Sequence, residues 1–141
     1  MEDYILSCSS TADMTNGYYS GRDIHHIDNT YCIEGQTYDE SMEEGVPLSD
    51  FYEKMRNGIN PTTSQIDMAD YKEYFKKFLE DGKDVLHICL SSSISDSYQA
   101  AMAAVKELKG EYPERQLYVV DSLSASAGMG LLIDILADKR D

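Results

Sequence analysis

One stretch constrains this chain more than any other: the apolar run Val85-Leu86-His87-Ile88-Cys89-Leu90, followed at once by Ser91-Ser92-Ser93-Ile94-Ser95-Asp96-Ser97. An apolar run, a cluster of small hydroxyl residues and then a helical pattern from near Tyr98 is the grammar of a strand-to-helix turn in an α/β protein. A helix N-terminus leaves backbone N–H groups unpaired and carries partial positive charge. Serine hydroxyls beside it can seat a carboxylate or a phosphate. Ser and Asp are also favoured N-caps, but four serines in five positions, Ser91, Ser92, Ser93 and Ser95, point toward an anion site.

The same grammar recurs along the chain. Tyr4–Cys8 reads as a first strand and breaks into Ser9-Ser10-Thr11-Ala12-Asp13, where Ser10 or Thr11 starts a turn. Asp23–Tyr38 reads as extended, with Glu34-Gly35 as a tight turn. His25 and His26 are adjacent, so in a strand they face opposite ways and cannot share one metal; both read as ordinary polar residues. Glu40, Glu43 and Glu44 read as a solvated acidic stretch without the ligand spacing of a calcium loop. Leu48–Asn57 reads as a short helix with Ser49 as N-cap and Gly58 at its end. Pro61 stops any helix from entering Thr62-Thr63-Ser64-Gln65.

From Asp67 to Glu80 the residues Tyr71, Tyr74, Phe75, Phe78 and Leu79 form an amphipathic helical face, read as core. After the serine turn, Tyr98, Ala101, Met102, Val105 and Leu108 mark a helix that ends by Gly110, and Pro113 follows. Leu117–Val120 reads as another strand, ending in Asp121-Ser122-Leu123-Ser124. Gly128, Leu131, Leu132, Ile135 and Leu136 read as the buried stripe of a last helix, with Gly128 and Gly130 marking a close approach. The order of elements predicts an α/β fold, a parallel sheet covered by helices, over residues 1–141 as one domain.

Composition narrows the function. Lys and Arg number 12 against 26 Asp and Glu, a formal net charge of −14, which repels nucleic acid and anionic membrane surfaces. Any anionic ligand must be held by local donors. Cys8, Cys32 and Cys89 form no Cys-x-x-Cys pair, so neither a disulfide framework nor a zinc site is indicated, and three free thiols in a reducing cytoplasm are expected. No stretch approaches the roughly 18 apolar residues of a membrane span, and the first residues do not read as a signal peptide. The sequence lacks the phosphate-binding motifs Gly-x-x-x-x-Gly-Lys and Gly-x-Gly-x-x-Gly and the Gly-x-Ser-x-Gly nucleophile elbow. His87 sits within a strand, poorly placed to activate a turn serine. The serines thus read as hydrogen-bond donors, with no catalytic residue, metal or cofactor assigned.

Taken together, Ser10-Thr11-Ala12-Asp13, Ile33-Glu34-Gly35, Phe51-Tyr52, Thr62-Thr63-Ser64-Gln65, the segment Leu90–Gln99 and Asp121-Ser122-Leu123-Ser124-Ala125-Ser126 occur in an order that resembles the DegV family of bacterial fatty-acid-binding proteins. The resemblance runs from Tyr4 to the last helix. It implies a two-domain fold that encloses one long-chain fatty acid, with the carboxylate held by Thr63 and Ser95 and supported by Thr62, Ser64, Ser91 and Ser92. The bound fatty acid is the only small molecule it implies, with no separate cofactor. It also implies a separate fatty acid kinase as partner, so that the carrier itself is not an enzyme, and a second domain that contributes a histidine and part of the acyl tunnel. On this reading residues 1–141 correspond to the N-terminal lipid-binding domain, with an apolar patch exposed beside the serine turn.

The chain departs from the family pattern at Ser9-Ser10, where Asp-Ser is usual, at Gln65-Ile66 for Gln-Pro, at Ser95-Asp96 for Ser-Gly and at Ile27-Asp28-Asn29 for Ile-Pro-Leu. Asp96 repels a carboxylate in the serine turn unless it points away. Two other classes of function stay open on the residues alone: a domain of an enzyme acting on a small phosphorylated substrate, and a regulatory half-protein that acts by pairing with another domain.

Overall fold

The computed structural model describes residues 4–40 and 46–141; Glu43 and Glu44 of the acidic stretch lie outside them. Four strands, β1 (Tyr4–Ser9), β2 (Ile24–Ile27), β6 (Asp84–Cys89) and β7 (Leu117–Asp121), form an all-parallel sheet in the order β2-β1-β6-β7. Parallel strands need crossover connections, and here these are helices. Helices α3 (Met68–Glu80) and α4 (Ser97–Glu111) cover one face; α1 (Asn16–Gly21) and α5 (Ser126–Arg140) cover the other. The expected parallel sheet covered by helices is therefore present.

A second sheet was not foreseen. Strands β3 (Thr30–Ile33), β4 (Gln36–Asp39) and β5 (Thr62–Ser64) pair antiparallel in the order β4-β3-β5, followed in the chain between β4 and β5 by α2 (Leu48–Arg56). The turn at Glu34-Gly35 is as expected, with both residues at positive φ, 52° and 80°, the geometry of a tight hairpin. Thr62–Ser64 is a strand of this sheet, not the end of an element on the parallel one. Two further details differ. Helix α1 escaped the sequence reading because its Asn-Gly-Tyr-Tyr-Ser-Gly stretch has two glycines and no apolar period, yet Thr15 caps it by accepting from the Tyr18 N–H at 3.2 Å. Pro47, not Ser49, occupies the N-cap position of α2, and the Ser49 hydroxyl bonds Asp50 instead.

Helix α3 follows its pattern closely. Asp67 and Asp70 form a reciprocal capping box, and Tyr71, Phe75 and Leu79 are buried at successive i+4 positions. Its aromatic rings pack edge-on around His87, which lies at the centre of β6 and is fully buried. His87 Nδ1 is 2.7 Å from Ser7 Oγ, its ladder partner on β1. Burial pushes the imidazole down to about 3, so His87 is neutral at ordinary pH. Burial likewise pushes the thiols of Cys8 and Cys89 up to about 12; these two and the half-buried Cys32 are all free, as expected.

Helix α5 turns inward only part of the face its sequence suggests: Leu132 and Leu136 are half-buried against the core, but Leu131 and Ile135 are not. The buried residues are Met129, Gly130, Ile133 and Ala137, while Leu131 and Ile135 are 61% and 44% exposed. Two contacts set this rotation. Arg22 reaches Asp134 at 3.2 Å and Asp138 at 2.7 Å, and Gly130 sits so close to the Ala12 carbonyl that a Cβ there would lie 3.2 Å from it. Small residues let α5 approach the end of β1, and the larger leucine and isoleucine face solvent.

Two measurements check this packing. Ile133→Ala should cost about 2–4 kcal/mol of stability by leaving a cavity, and Ile135→Ala no more than about 0.5 kcal/mol; equal shifts in the denaturant midpoint would contradict the rotation of α5. For His87 the folded pKa lies below the unfolded value of about 6.5. The unfolded chain therefore takes up the proton first. The contribution is fully present above about pH 6.5 and is lost as pH falls toward 3. Denaturation of wild type and His87→Gln across that window should show a smaller pH-dependent loss in the variant, even if it is less stable at pH 7.

Candidate functional site

Because the sheet is parallel, β1, β6 and β7 all end at one edge, where ligand crevices form in open α/β sheets. Three hydroxyl-rich segments meet there: the 3-10 turn Ser10–Ala12, the serine turn after β6, and the turn after β7. The last two are tied together. The Ser91 N–H donates to the Ser124 carbonyl at 3.0 Å, and the Ser122 N–H to the Cys89 carbonyl at 3.1 Å. Asp121 accepts from the N–H groups of Ser92 and Leu123 through one oxygen, at 3.1 and 3.0 Å. The Ser92 hydroxyl first, and then the Leu123 N–H, hold its carboxyl below the usual range. One carboxylate thus pins both turns.

Within the serine turn, Ser91 Oγ lies 2.7 Å from Ser93 Oγ and accepts the Ser93 N–H. Ser95 Oγ accepts the Ser97 N–H at 3.1 Å and lies 2.9 Å from Ser97 Oγ. Ser95 therefore does the capping that Asp96 does not: Asp96 stands at the N-cap of α4, exposed and without a side-chain cap bond. Ser91 is buried, and Ser92 and Ser95 are half-buried. Beside them Ile94 is 64% and Leu123 77% exposed, the apolar patch expected next to this turn.

Thr63 belongs to the other sheet. It is exposed on β5, opposite Tyr31 of β3, and lines a cavity of about 530 Å³ between the end of β1, helix α1, the antiparallel sheet and α2. That volume is in the range of small-ligand sites. Met14, Tyr31, Val46, Leu48, Phe51 and Tyr52 give it an apolar and aromatic wall. Ser10 lines it too, donating to Glu40 at 2.6 Å and accepting the Asn29 N–H at 3.0 Å. Ser91, Ser92 and Ser95 are not among its lining residues, nor are Thr62 and Ser64, exposed neighbours of Thr63 on β5.

The cavity also has an acidic side made by Asp13, Asp28, Asp39 and Glu40. Burial, reinforced by Asp39, raises the Asp28 carboxyl above its ordinary value, against the opposing pull of His26. His26 Nε2 lies 3.5 Å from Asp28 Oδ1, close enough for an ion pair but outside hydrogen-bond geometry, so that oxygen is buried without a partner. The His26 ring stacks on Tyr19 at 4.4 Å, whereas His25 meets Phe78 of α3 edge-on at 4.9 Å. The adjacent histidines do face opposite ways, and one of them reaches the cavity. Sequence reading passed over His26, Asp28 and Tyr19; the alternation of a strand ending beside a hydroxyl cluster was the available signal. Among the described residues no group of His, Cys, Asp and Glu is arranged to hold a metal ion, and no helix is long and apolar enough to cross a membrane.

Comparison with known proteins matches this chain to a family over residues 8–139, under the description "Uncharacterised protein, DegV family". A DegV domain-containing protein of Clostridium perfringens is 29% identical over 140 residues, which are 99% of this chain and 48% of that protein. The chain thus spans about half the length of the curated relatives it matches. A Thermotoga maritima protein whose structure "reveals fatty acid binding function" is 30% identical with a TM-score of 0.81, covering 98% of this chain and 49% of that one. A stearic acid-binding protein of Eubacterium ventriosum shares the fold at 23% identity, with a TM-score of 0.86 over 96% of this chain and 47% of that one. The match over residues 8–139, the parallel sheet and the ordered hydroxyl turns lead to one conclusion: the chain belongs to the DegV family.

Proposed function

We propose that this chain binds a long-chain fatty acid, holding the carboxylate with the hydroxyls of Thr63 and Ser95, supported by Thr62, Ser64, Ser91 and Ser92. The carrying observation is the cavity of about 530 Å³ with its apolar and aromatic wall, lined at one point by Thr63. The fatty acid binding of the Thermotoga maritima relative, at 30% identity, supports the same reading. Charge supports it as well. Asp13, Asp28, Asp39 and Glu40 repel an anion from the cavity itself, which favours an arrangement with the acyl chain inside and the carboxylate outside, at hydroxyls and the N-terminus of α4. A small phosphorylated substrate fits this acidic wall poorly.

On this reading the protein is a carrier, not an enzyme. It presents its ligand to a separate fatty acid kinase in the cytoplasm, and a further domain of the whole protein completes the enclosure. A buried acyl chain gains about 0.8 kcal/mol per CH₂, so a lid over the chain decides affinity. Ile94 and Leu123, exposed beside the serine turn, are where such a cover fits.

Native mass spectrometry of protein purified from cells should find a bound fatty acid. A nucleotide or a sugar phosphate in its place would support the enzyme reading instead. Thr63→Ala and Ser95→Ala should each weaken fatty acid binding about 10- to 100-fold, since a hydrogen bond to a charged group contributes roughly 1.5–3 kcal/mol. Unchanged affinity in both variants would remove these hydroxyls from the carboxylate site.

A further inference from the structure

Helix α4 buries a stripe made of Ser97, Ala101, Ala104, Val105 and Leu108. All but the first are apolar, as a core-facing stripe requires. The first is a serine at 3% exposure, where an alanine would pack with no polar atom to satisfy. Capping does not account for it. The capping bond runs from the Ser97 backbone N–H to Ser95 Oγ at 3.1 Å, and an alanine at 97 supplies the same N–H. The Ser97 hydroxyl makes a second contact with the same atom: its oxygen lies 2.9 Å from Ser95 Oγ.

The direction of that second bond follows from burial. A hydroxyl carries one hydrogen and two lone pairs, and the hydrogen turns to the acceptor in reach. If Ser95 donated, the buried Ser97 hydrogen would need an acceptor of its own, because buried donors are nearly always paired. Among the described residues the Tyr71 phenol lies near it outside hydrogen-bond geometry, and that phenol pairs with Cys89 Sγ at 3.9 Å. If Ser97 donates, no buried hydrogen is left over. Ser95 Oγ then accepts twice, from the Ser97 N–H and from the Ser97 hydroxyl, and both its lone pairs are filled. Ser95 is half-buried, and its own hydrogen is directed away from Ser97, toward the open side of the turn.

We propose that Ser97 is a positioning residue, whose buried hydroxyl makes Ser95 an outward-pointing donor for the ligand carboxylate. The inference rests on the fatty-acid reading above, with Ser95 as a carboxylate ligand, and adds the residue that aims it. A hydroxyl free to rotate can turn a lone pair toward the ligand, and that repels a carboxylate. One with both lone pairs occupied presents its hydrogen alone. Donation into Ser95 also polarises its O–H and strengthens the bond it gives. Ser97 itself touches no ligand and acts through Ser95.

The test is a double-substitution cycle on the full chain, read as affinity for stearate, with circular dichroism to confirm folding. Ser97→Ala should weaken stearate binding roughly threefold to tenfold, part of the worth of one charged hydrogen bond. In a Ser95→Ala background the same substitution should change nothing, because the group it acts through is gone. Ser97→Thr, which keeps the hydroxyl, should restore the affinity lost in Ser97→Ala. Tyr71→Phe, which keeps the ring, should bind as wild type does. Unchanged affinity in Ser97→Ala, an equal loss in both backgrounds, or no recovery in Ser97→Thr overturns the inference while leaving fatty acid binding intact. A loss in Tyr71→Phe as large as that in Ser97→Ala overturns it by assigning the Ser97 hydrogen to the phenol. Wild-type affinity in Ser95→Ala removes Ser95 as a ligand and the inference with it. Failure of the wild-type chain to bind stearate overturns the fatty-acid reading itself.

Discussion

The parallel pairing of β1 with β6 is the constraint on which the rest depends. Tyr4 through Cys8 run in register with Asp84 through Ile88, and this ladder sits at the middle of the sheet with helices on both faces. Parallel strands that follow helical crossovers finish at the same edge. The hydroxyl clusters after β1, β6 and β7 are therefore neighbours because of topology, although about 80 residues separate the first pair of strands. At the centre of that ladder sits a polar pair, Ser7 Oγ and His87 Nδ1 at 2.7 Å, enclosed by the rings of α3. It adds little net stability, since an isolated hydrogen bond contributes about 1 kcal/mol. It does penalise a register slip, because moving β6 by one residue would point His87 into the opposite, all-apolar layer around Leu6 and Ile88.

What could be read from the sequence follows from where a single physical rule dominated. Helix α3 was legible because its periodic aromatic face runs unbroken between Asp67 and Glu80. Strand β6 and the serine turn were legible because a buried parallel strand is continuously apolar. Helix α5 misled the reading, since hydrophobicity alone favours Leu131 and Ile135 over Gly130 and Ala137. Close approach to Ala12 and the pull of Arg22 on Asp134 and Asp138 decide the rotation instead, and neither is encoded within the helix. The antiparallel sheet was hidden for a similar reason. Thr62, Thr63 and Ser64 are exposed and too few to show an alternation, so only their pairing with Thr30, Tyr31 and Cys32 makes them a strand.

The candidate site was half legible on the same grounds. Hydroxyl clusters announce strand ends, and family resemblance singled out Thr63 and Ser95 among them. The cavity wall was not announced. Tyr31 of β3 and Phe51 of α2 come from separate elements, and their rings meet at 5.4 Å only once α2 lies against β3. Tyr19 belongs to a helix with no apolar period, and His26 is half of a His-His pair whose two members serve different layers.

Charge then separates the two halves of a site built this way. A net charge of −14 gives no general field to draw in an anion, and the acidic wall of the cavity actively opposes one. Attraction for a carboxylate is confined to short-range donors: hydroxyls, and the unpaired N–H groups that open α4. Such donors act over a single bond length and gain strength only where water is excluded. Ser95 already accepts the Ser97 N–H with one lone pair, and what a carboxylate would take from it is its hydroxyl hydrogen. That division suits the carrier proposed above, in which the head group would be held by a few directional bonds at the surface and the chain by area inside. In that proposal the balance between them would be set less by the hydroxyls than by how completely the exposed apolar surface of Ile94 and Leu123 is covered.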